Sequence, residues 1–110
     1  VNALATFLLA LLLLPLLRKT VTLSDVHPRV VILSSGVHKW VNMPEYRAKP
    51  NIYEALNDKE QWVPRERYPV SKLLDTLWTY ELGHRLASST HPEDEKISVS
   101  GYVASKEDLN

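Results

Sequence analysis

Residues 29–36 read Arg-Val-Val-Ile-Leu-Ser-Ser-Gly. Val30, Val31, Ile32 and Leu33 form an unbroken aliphatic run, and three of them are β-branched. A strand with one wet face alternates apolar and polar residues. A short continuous apolar run instead fits a parallel strand covered on both faces. The run stops at Ser34, Ser35 and Gly36. In open α/β sheets, ligands sit just outside the carboxyl ends of the strands. A serine pair there is well placed for chemistry. The same hydroxyls can instead serve only to satisfy backbone groups at the strand end.

Upstream, residues 1–17 read VNALATFLLALLLLPLL and are apolar except at Asn2, Thr6 and Pro15, before Arg18 and Lys19 end the run. Three readings compete. A core helix of an α/β fold carries apolar residues nearly all round, as this run does. A transmembrane helix needs about 20 apolar residues, and this run is shorter and holds a proline near its end. A secretory signal needs a basic start and a small-residue cleavage site, and neither is written here. Length and flanks favour the buried helix. The chain opens on Val1 inside this pattern, which reads as a fragment, a processed product or a faulty gene model. Residues 19–28, KTVTLSDVHP, are polar with a proline stop and are expected to form a loop.

Downstream, residues 37–67 hold Pro44, Pro50 and Pro64 together with Trp40, Tyr46, Tyr53 and Trp62. They read as a long connection with a helical turn or two at NIYEALND. Connections of this length are often lids or substrate loops. The aromatics either line a ligand pocket or pack the loop onto the body. Residues 69–88 read as an amphipathic helix, with Val70, Leu74, Trp78 and Leu82 at spacing four and Leu73, Leu77 and Leu86 widening the stripe. Pro69 suits a first helical position. The exposed face of that helix is expected to carry Asp75, Thr79 and His84. Residues 88–96 read as a solvated loop and ISVS, 97–100, as a short strand, while GYVASKEDLN at 101–110 has no pattern long enough to assign.

The order is helix, strand, long loop, helix, strand, a piece of an alternating α/β sheet with one crossover unit and half of another. Two strands do not make an independent sheet core. The chain has 110 residues, enough for one domain. Thirteen basic residues balance thirteen acidic ones, which removes the electrostatic case for nucleic acid as a partner. There is no cysteine, so disulfides and thiolate metal sites are excluded. His27, His38, His84 and His91 are scattered, which argues against a zinc site, and no metal is expected. Gly36, Gly83 and Gly101 are the only glycines, and no phosphate-cradling glycine motif can be written from them. Cytoplasmic placement is the expectation, with membrane association through residues 1–17 as the alternative.

The chemistry-bearing stretch is Tyr68-Pro-Val-Ser-Lys72. Tyr and Lys at i and i+4 can share a helix face. An ammonium beside a phenol favours the phenolate, and a helix N-terminus pushes the same way. A tyrosine tuned down from about 10 can act as general acid or base near neutral pH. Carbonyl–alcohol interconversion needs that, because a proton reaches oxygen as a hydride reaches carbon. The residue before a proline is biased away from the α region, so Tyr68 is expected at the helix cap. Tyr102-Val-Ala-Ser-Lys106 repeats the spacing, but it follows the last strand with no room for a helix after it, and is read as a decoy.

Taken as an ordered set, VNALATFLLALLLLPLL, RVVILSSGVH and YPVSKLL…EL..RL resemble the central part of a short-chain dehydrogenase/reductase. They most resemble the branch that includes retinol-dehydrogenase-like enzymes and fungal reductases of secondary metabolism. The resemblance covers roughly residues 1–100, the catalytic part of an incomplete domain, and leaves 101–110 as an irregular tail. It implies an α/β fold, a partial Rossmann-like doubly wound parallel sheet whose N-terminal nucleotide-binding half is missing. It implies an NAD- or NADP-dependent oxidoreductase that interconverts a carbonyl and an alcohol, and the aromatic connection at 37–67 suggests that this small substrate is apolar. Asn2 matches the asparagine that holds a water in the proton relay. Ser35 matches the serine that polarises the substrate oxygen, with Ser34 its neighbour. Tyr68 matches the acid/base, and Lys72 the lysine that assists it and contacts the nicotinamide ribose. Helix 69–88 corresponds to the family's common homodimer element.

Two departures stand out. No glycine-rich turn for the pyrophosphate is present, and ISVS runs into GYVASKEDLN without the family's Pro-Gly turn. The isolated chain is therefore expected to be inactive alone and to expose a large apolar patch. The rival reading is a small non-catalytic protein that uses residues 1–17 to attach to a membrane or dock on a partner.

Overall fold

The computed structural model describes residues 1–41 and 51–103. Helix α1 spans Leu4–Ser24 and strand β1 spans Arg29–Ser34. A 3-10 turn at Gly36–Trp40 follows. Helix α2, Ile52–Asn57, starts on Asn51, whose side chain accepts from the Glu54 N–H, in the stretch where a helical turn is expected. Helix α3 spans Pro64–Ala87, and strand β2 spans Ser98–Val103. The two strands pair in parallel, in a register running from Arg29 opposite Ser98 to Ser34 opposite Val103. Mixed helices and a parallel pair linked through α3 agree with a piece of an α/β sheet. Tyr46 and the prolines at 44 and 50 lie outside the described residues.

Four expectations about the elements are corrected. Helix α1 does not stop at residue 17 but continues through KTVTLS. Thr20, Thr22 and Ser24 donate to the carbonyls of Leu16, Arg18 and Thr20, so these polar side chains ride the helix rather than break it. It ends at Asp25, whose φ of 51° is left-handed and whose N–H caps the Val21 carbonyl. Second, α3 begins at Pro64 rather than Pro69, so Tyr68 is inside the helix and not at its cap. Pro64 fits the first helical position, while Pro69 costs a bond to the Arg65 carbonyl near the helix start. Third, β2 continues through Gly101, Tyr102 and Val103, because β1 supplies partners as far as Ser34. Residues 104–110 of the tail lie outside the described residues.

Fourth, Asp75 and Thr79 are buried, not exposed, while His84 does face outward as expected. The physical reason is that α3 packs on two sides. Towards α1 it presents Trp78 and Leu82, and Phe7 meets Trp78 edge-on with ring centroids 5.3 Å apart. Towards the sheet it presents Asp75 and Thr79, whose methyl lies over Gly101. A single amphipathic stripe cannot describe a helix with two covered faces. Leu77, counted in that stripe, falls outside both and is exposed.

The core joins Phe7 and Val21 of α1, Ile32 of β1, Leu82 and Leu86 of α3, and Ile97. A second cluster joins Ala3, Ala55, Val70 and Leu74, seating α2 against the start of α3. Helix α1, expected to be buried nearly all round, buries only Phe7, Ala10 and Val21, with Leu14 and Leu17 partly covered against the core. Leu4, Leu8, Leu11, Leu12 and Leu16 are exposed. By length and composition α1 could cross a membrane, although a core helix passes the same test.

The far end of α1 is fastened by Arg18, which donates from Nε and Nη2 to the two oxygens of buried Asp94 at 2.7 and 2.9 Å. The guanidinium hydrogen bond holds the Asp94 carboxyl below its ordinary range. A depressed folded value means that this stabilisation is complete above the unfolded carboxylate range and fades on acidification. Arg18→Ala is expected to lower unfolding free energy by about 2 kcal/mol at neutral pH. Urea melts should show that difference shrinking as pH falls below about 4.

Candidate active site

The candidate residues come from three places in the chain, and α3 gathers them. Asn2 precedes α1 rather than lying in it, and it does not act as the helix cap, which is Ala3 without a side-chain bond. Its Nδ2 donates to Ser71 Oγ at 3.4 Å, and Ser71 in turn donates to the Tyr68 carbonyl at 2.7 Å. Asn2 therefore lies against the turn of α3 that separates Tyr68 from Lys72. Tyr68 is half exposed, with its ring 5.9 Å from the Lys72 ammonium. The i, i+4 spacing holds because the helix runs unbroken through Pro69.

Lys72 is mostly covered, with its side chain 14% exposed, so it is not a solvated surface lysine. Its Nζ donates to the Leu33 carbonyl at 3.1 Å and to Asp75 Oδ2 at 3.2 Å. This places the ammonium at the carboxyl end of β1, beside the serine pair. An ammonium has three donors, and these two bonds leave one.

The two serines differ in what they do. Ser34 Oγ lies 3.1 Å from the Lys72 carbonyl and 2.9 Å from Thr76 Oγ1. Its hydroxyl is committed to fastening β1 to α3. Ser35 caps the following 3-10 turn, accepting from the Val37 N–H at 3.5 Å, while its carbonyl accepts from His38 Nδ1. That long capping contact leaves the Ser35 hydroxyl the freer of the two.

Of the aromatics in the long connection, Tyr53 packs 6.5 Å from Trp78, while Trp62 is exposed and lies 4.4 Å under the Arg67 guanidinium. Tyr102 of the second Tyr–Lys match is in β2, and Lys106 lies outside the described residues. Among the described residues no cluster of histidine and carboxylate ligands could hold a metal. A cavity of about 670 Å³ opens beside Ser34, His38, Thr76 and Thr79, against Val99 and Gly101 of β2.

Asp75 was missed as part of this site. Its signal is a carboxylate three residues after Lys72, embedded between Leu74 and Leu77. The side chain is fully buried and its Oδ1 has no hydrogen-bond partner. Burial pushes the Asp75 carboxyl up, against the opposing pull of the Lys72 hydrogen bond and charge.

Eight curated short-chain dehydrogenases and reductases match this sequence. Short-chain dehydrogenase anuD of Penicillium roqueforti is 38% identical over 103 residues, covering 94% of this chain and 27% of the relative. Short chain dehydrogenase sol3 of Alternaria solani is 40% identical over 89 residues, covering 81% of this chain and 31% of its own length. The chain belongs to the short-chain dehydrogenase/reductase family. A third relative, atnD of Emericella nidulans, is 38% identical over 102 residues. The chain spans about a third or less of the curated relatives it matches. No protein-family model matches the sequence, and no solved structure matches it.

A carboxyl raised by burial binds its proton more readily in the folded state, so its cost is present at neutral pH and disappears on acidification. Asp75→Asn removes this pH-dependent contribution and also leaves the mostly covered Lys72 ammonium without its counter-charge. Thermal melts followed by circular dichroism should show the wild type gaining stability relative to Asp75→Asn as the pH is lowered through the raised carboxyl range.

Proposed function

We propose that this chain carries the proton-transfer half of an NAD(P)-dependent carbonyl–alcohol oxidoreductase. The observation that carries the reading is the position of Lys72. Its ammonium is drawn to the carboxyl end of β1 while it stands one helical turn from Tyr68. This puts a fixed positive charge, a phenol and the Ser35 hydroxyl on the side of the sheet where ligands of α/β folds bind.

In this reading Ser35 donates a hydrogen bond to the substrate carbonyl oxygen and orients it. Tyr68 gives its phenolic proton to that oxygen as the alcohol forms, and takes the proton back in the reverse direction. Lys72 supplies positive charge beside the phenol, stabilising the phenolate left behind. Asn2 holds the turn of α3 through Ser71 and stands where a proton could be relayed through water. A bound nicotinamide cofactor supplies or accepts the hydride at the carbonyl carbon. The remaining Lys72 donor fits a ribose hydroxyl, so Lys72 and Tyr68 would hold the ribose end of that cofactor. The three glycines of the chain offer no cradle for its pyrophosphate. That supports a division of labour in which the phosphates are bound by residues outside this sequence. The substrate class we favour is a small apolar ketone, aldehyde or secondary alcohol, consistent with the aromatic connection around Tyr53 and Trp62.

In a form of the protein that turns substrate over, Tyr68→Phe should lower kcat by about 10²–10⁴-fold. Cofactor affinity, read by NAD(P)H fluorescence titration, should change little. Unchanged turnover would remove Tyr68 from the acid/base role.

A second reading is favoured by one specific observation, the exposed leucines of α1. In it the helix attaches the chain to a lipid surface and no catalysis is performed. Flotation with neutral phosphatidylcholine vesicles tests it. Under this second reading the wild-type chain co-floats, and replacing Leu8, Leu11 and Leu12 by Gln abolishes co-flotation; a chain that stays in the lower fraction leaves the catalytic reading alone.

A further inference from the structure

Asp75 poses a physical question that packing does not answer. It is a fully buried carboxylate flanked by Leu74 and Thr76, and one of its oxygens has no partner. An unsatisfied buried acceptor costs about 1–3 kcal/mol. A well-packed apolar or amide side chain at this position would avoid much of that cost. The other oxygen, Oδ2, meets a single charged group, the Lys72 ammonium at 3.2 Å. That ammonium is held on a second side by the Leu33 carbonyl at 3.1 Å.

We infer that Asp75 is a positioning residue for Lys72, which clamps the ammonium between its carboxylate and the end of β1. The inference rests on the Tyr–Lys reading for its functional meaning but not for its geometry. A lysine on a flexible four-carbon stem would otherwise sample solvent and spread its charge over many positions. Two acceptors from different elements, a strand carbonyl and a helix carboxylate, reduce it to one position one helical turn from the Tyr68 ring. The carboxylate also offsets the desolvation that a mostly covered ammonium suffers. The clamp leaves the third ammonium donor for a ligand hydroxyl. Packing alone gives Asp75 none of these consequences, because packing places no demand on its charge.

The test is made on the full 110-residue chain with lysine labelled at the ε-carbon, the Lys72 resonance being assigned by its loss in Lys72→Arg. In the wild type the Lys72 resonance should be displaced from those of the exposed lysines. Asp75→Asn keeps an oxygen acceptor and removes the charge, so the Lys72 resonance should move part of the way towards the exposed set while staying distinct from it. Asp75→Ala removes both, and the Lys72 resonance should collapse onto that set. Circular dichroism on the same samples verifies the fold, and Asp75→Asn keeps the test alive if Asp75→Ala does not fold. A Lys72 resonance that is the same in wild type, Asp75→Asn and Asp75→Ala overturns the inference. This readout involves no turnover. If Tyr68→Phe leaves turnover intact while Asp75→Asn moves the Lys72 resonance, the catalytic reading fails and the clamp stands; the converse result removes the clamp alone.

Discussion

Strand β1 and helix α3 exchange side chain for backbone at one point, and the rest of the site hangs on that exchange. Ser34 reaches from the strand end to the Lys72 carbonyl, and Lys72 reaches back to the Leu33 carbonyl. Each element thus satisfies an acceptor on the other. Helix carbonyls inside α3 already have their own partners, so the added bonds work by orientation. They fix the height and rotation of α3 relative to the strand. Once the helix is set, Tyr68 is one turn above Lys72, and Ser71 faces Asn2. Three segments far apart in the chain meet through a single helix register.

That register has an energetic consequence. Turning Lys72 towards β1 turns Asp75 and Thr79 under the sheet-facing side, because positions three and seven residues on share its flank. Thr79 adapts by donating to the Asp75 carbonyl. Asp75 adapts only in part, with one oxygen on Lys72 and one unpartnered. Sites that perform chemistry commonly hold such groups, since a charge that is costly to bury is also a charge whose field is little screened. The opposite arrangement is seen at Asp94, where Arg18 satisfies both oxygens and the pair fastens α1 to the segment before β2. One buried carboxylate stabilises the fold; the other stands against Lys72 at the end of β1.

Much of this was legible in the residues. The aliphatic run 30–33 names a parallel strand, but not the covering on both faces expected of it, since Ile32 is buried while Val31 and Leu33 on the other face are exposed. The spacing of Val70, Leu74, Trp78 and Leu82 names a helix, and Tyr68 and Lys72 lie one turn apart by periodicity alone. The helix at Ile52–Asn57 is announced by its Asn51 cap. Harder to read were the ends. KTVTLS carries polar β-branched residues that disfavour a helix unless their hydroxyls bond back to it, and whether they do depends on the preceding turn being in place. Gly101–Val103 has no strand pattern of its own and is a strand because β1 lies beside it.

The sequence by itself determined the element types, the family, and the residue types available for proton transfer, since these follow from local periodicity and from which groups can donate or ionise. Only the tertiary structure decided which faces of α3 are covered, that Ser34 is a fastening residue while Ser35 is the freer hydroxyl, and that Asp75 stands against Lys72. The physical reason is that burial and hydrogen-bond pairing belong to contacts between segments. A helix covered on one side announces its inner face as a stripe. Helix α3 is covered by α1 on one side and by the sheet on another, and where the second face runs through a lysine, an aspartate and two threonines, no stripe is written in the sequence.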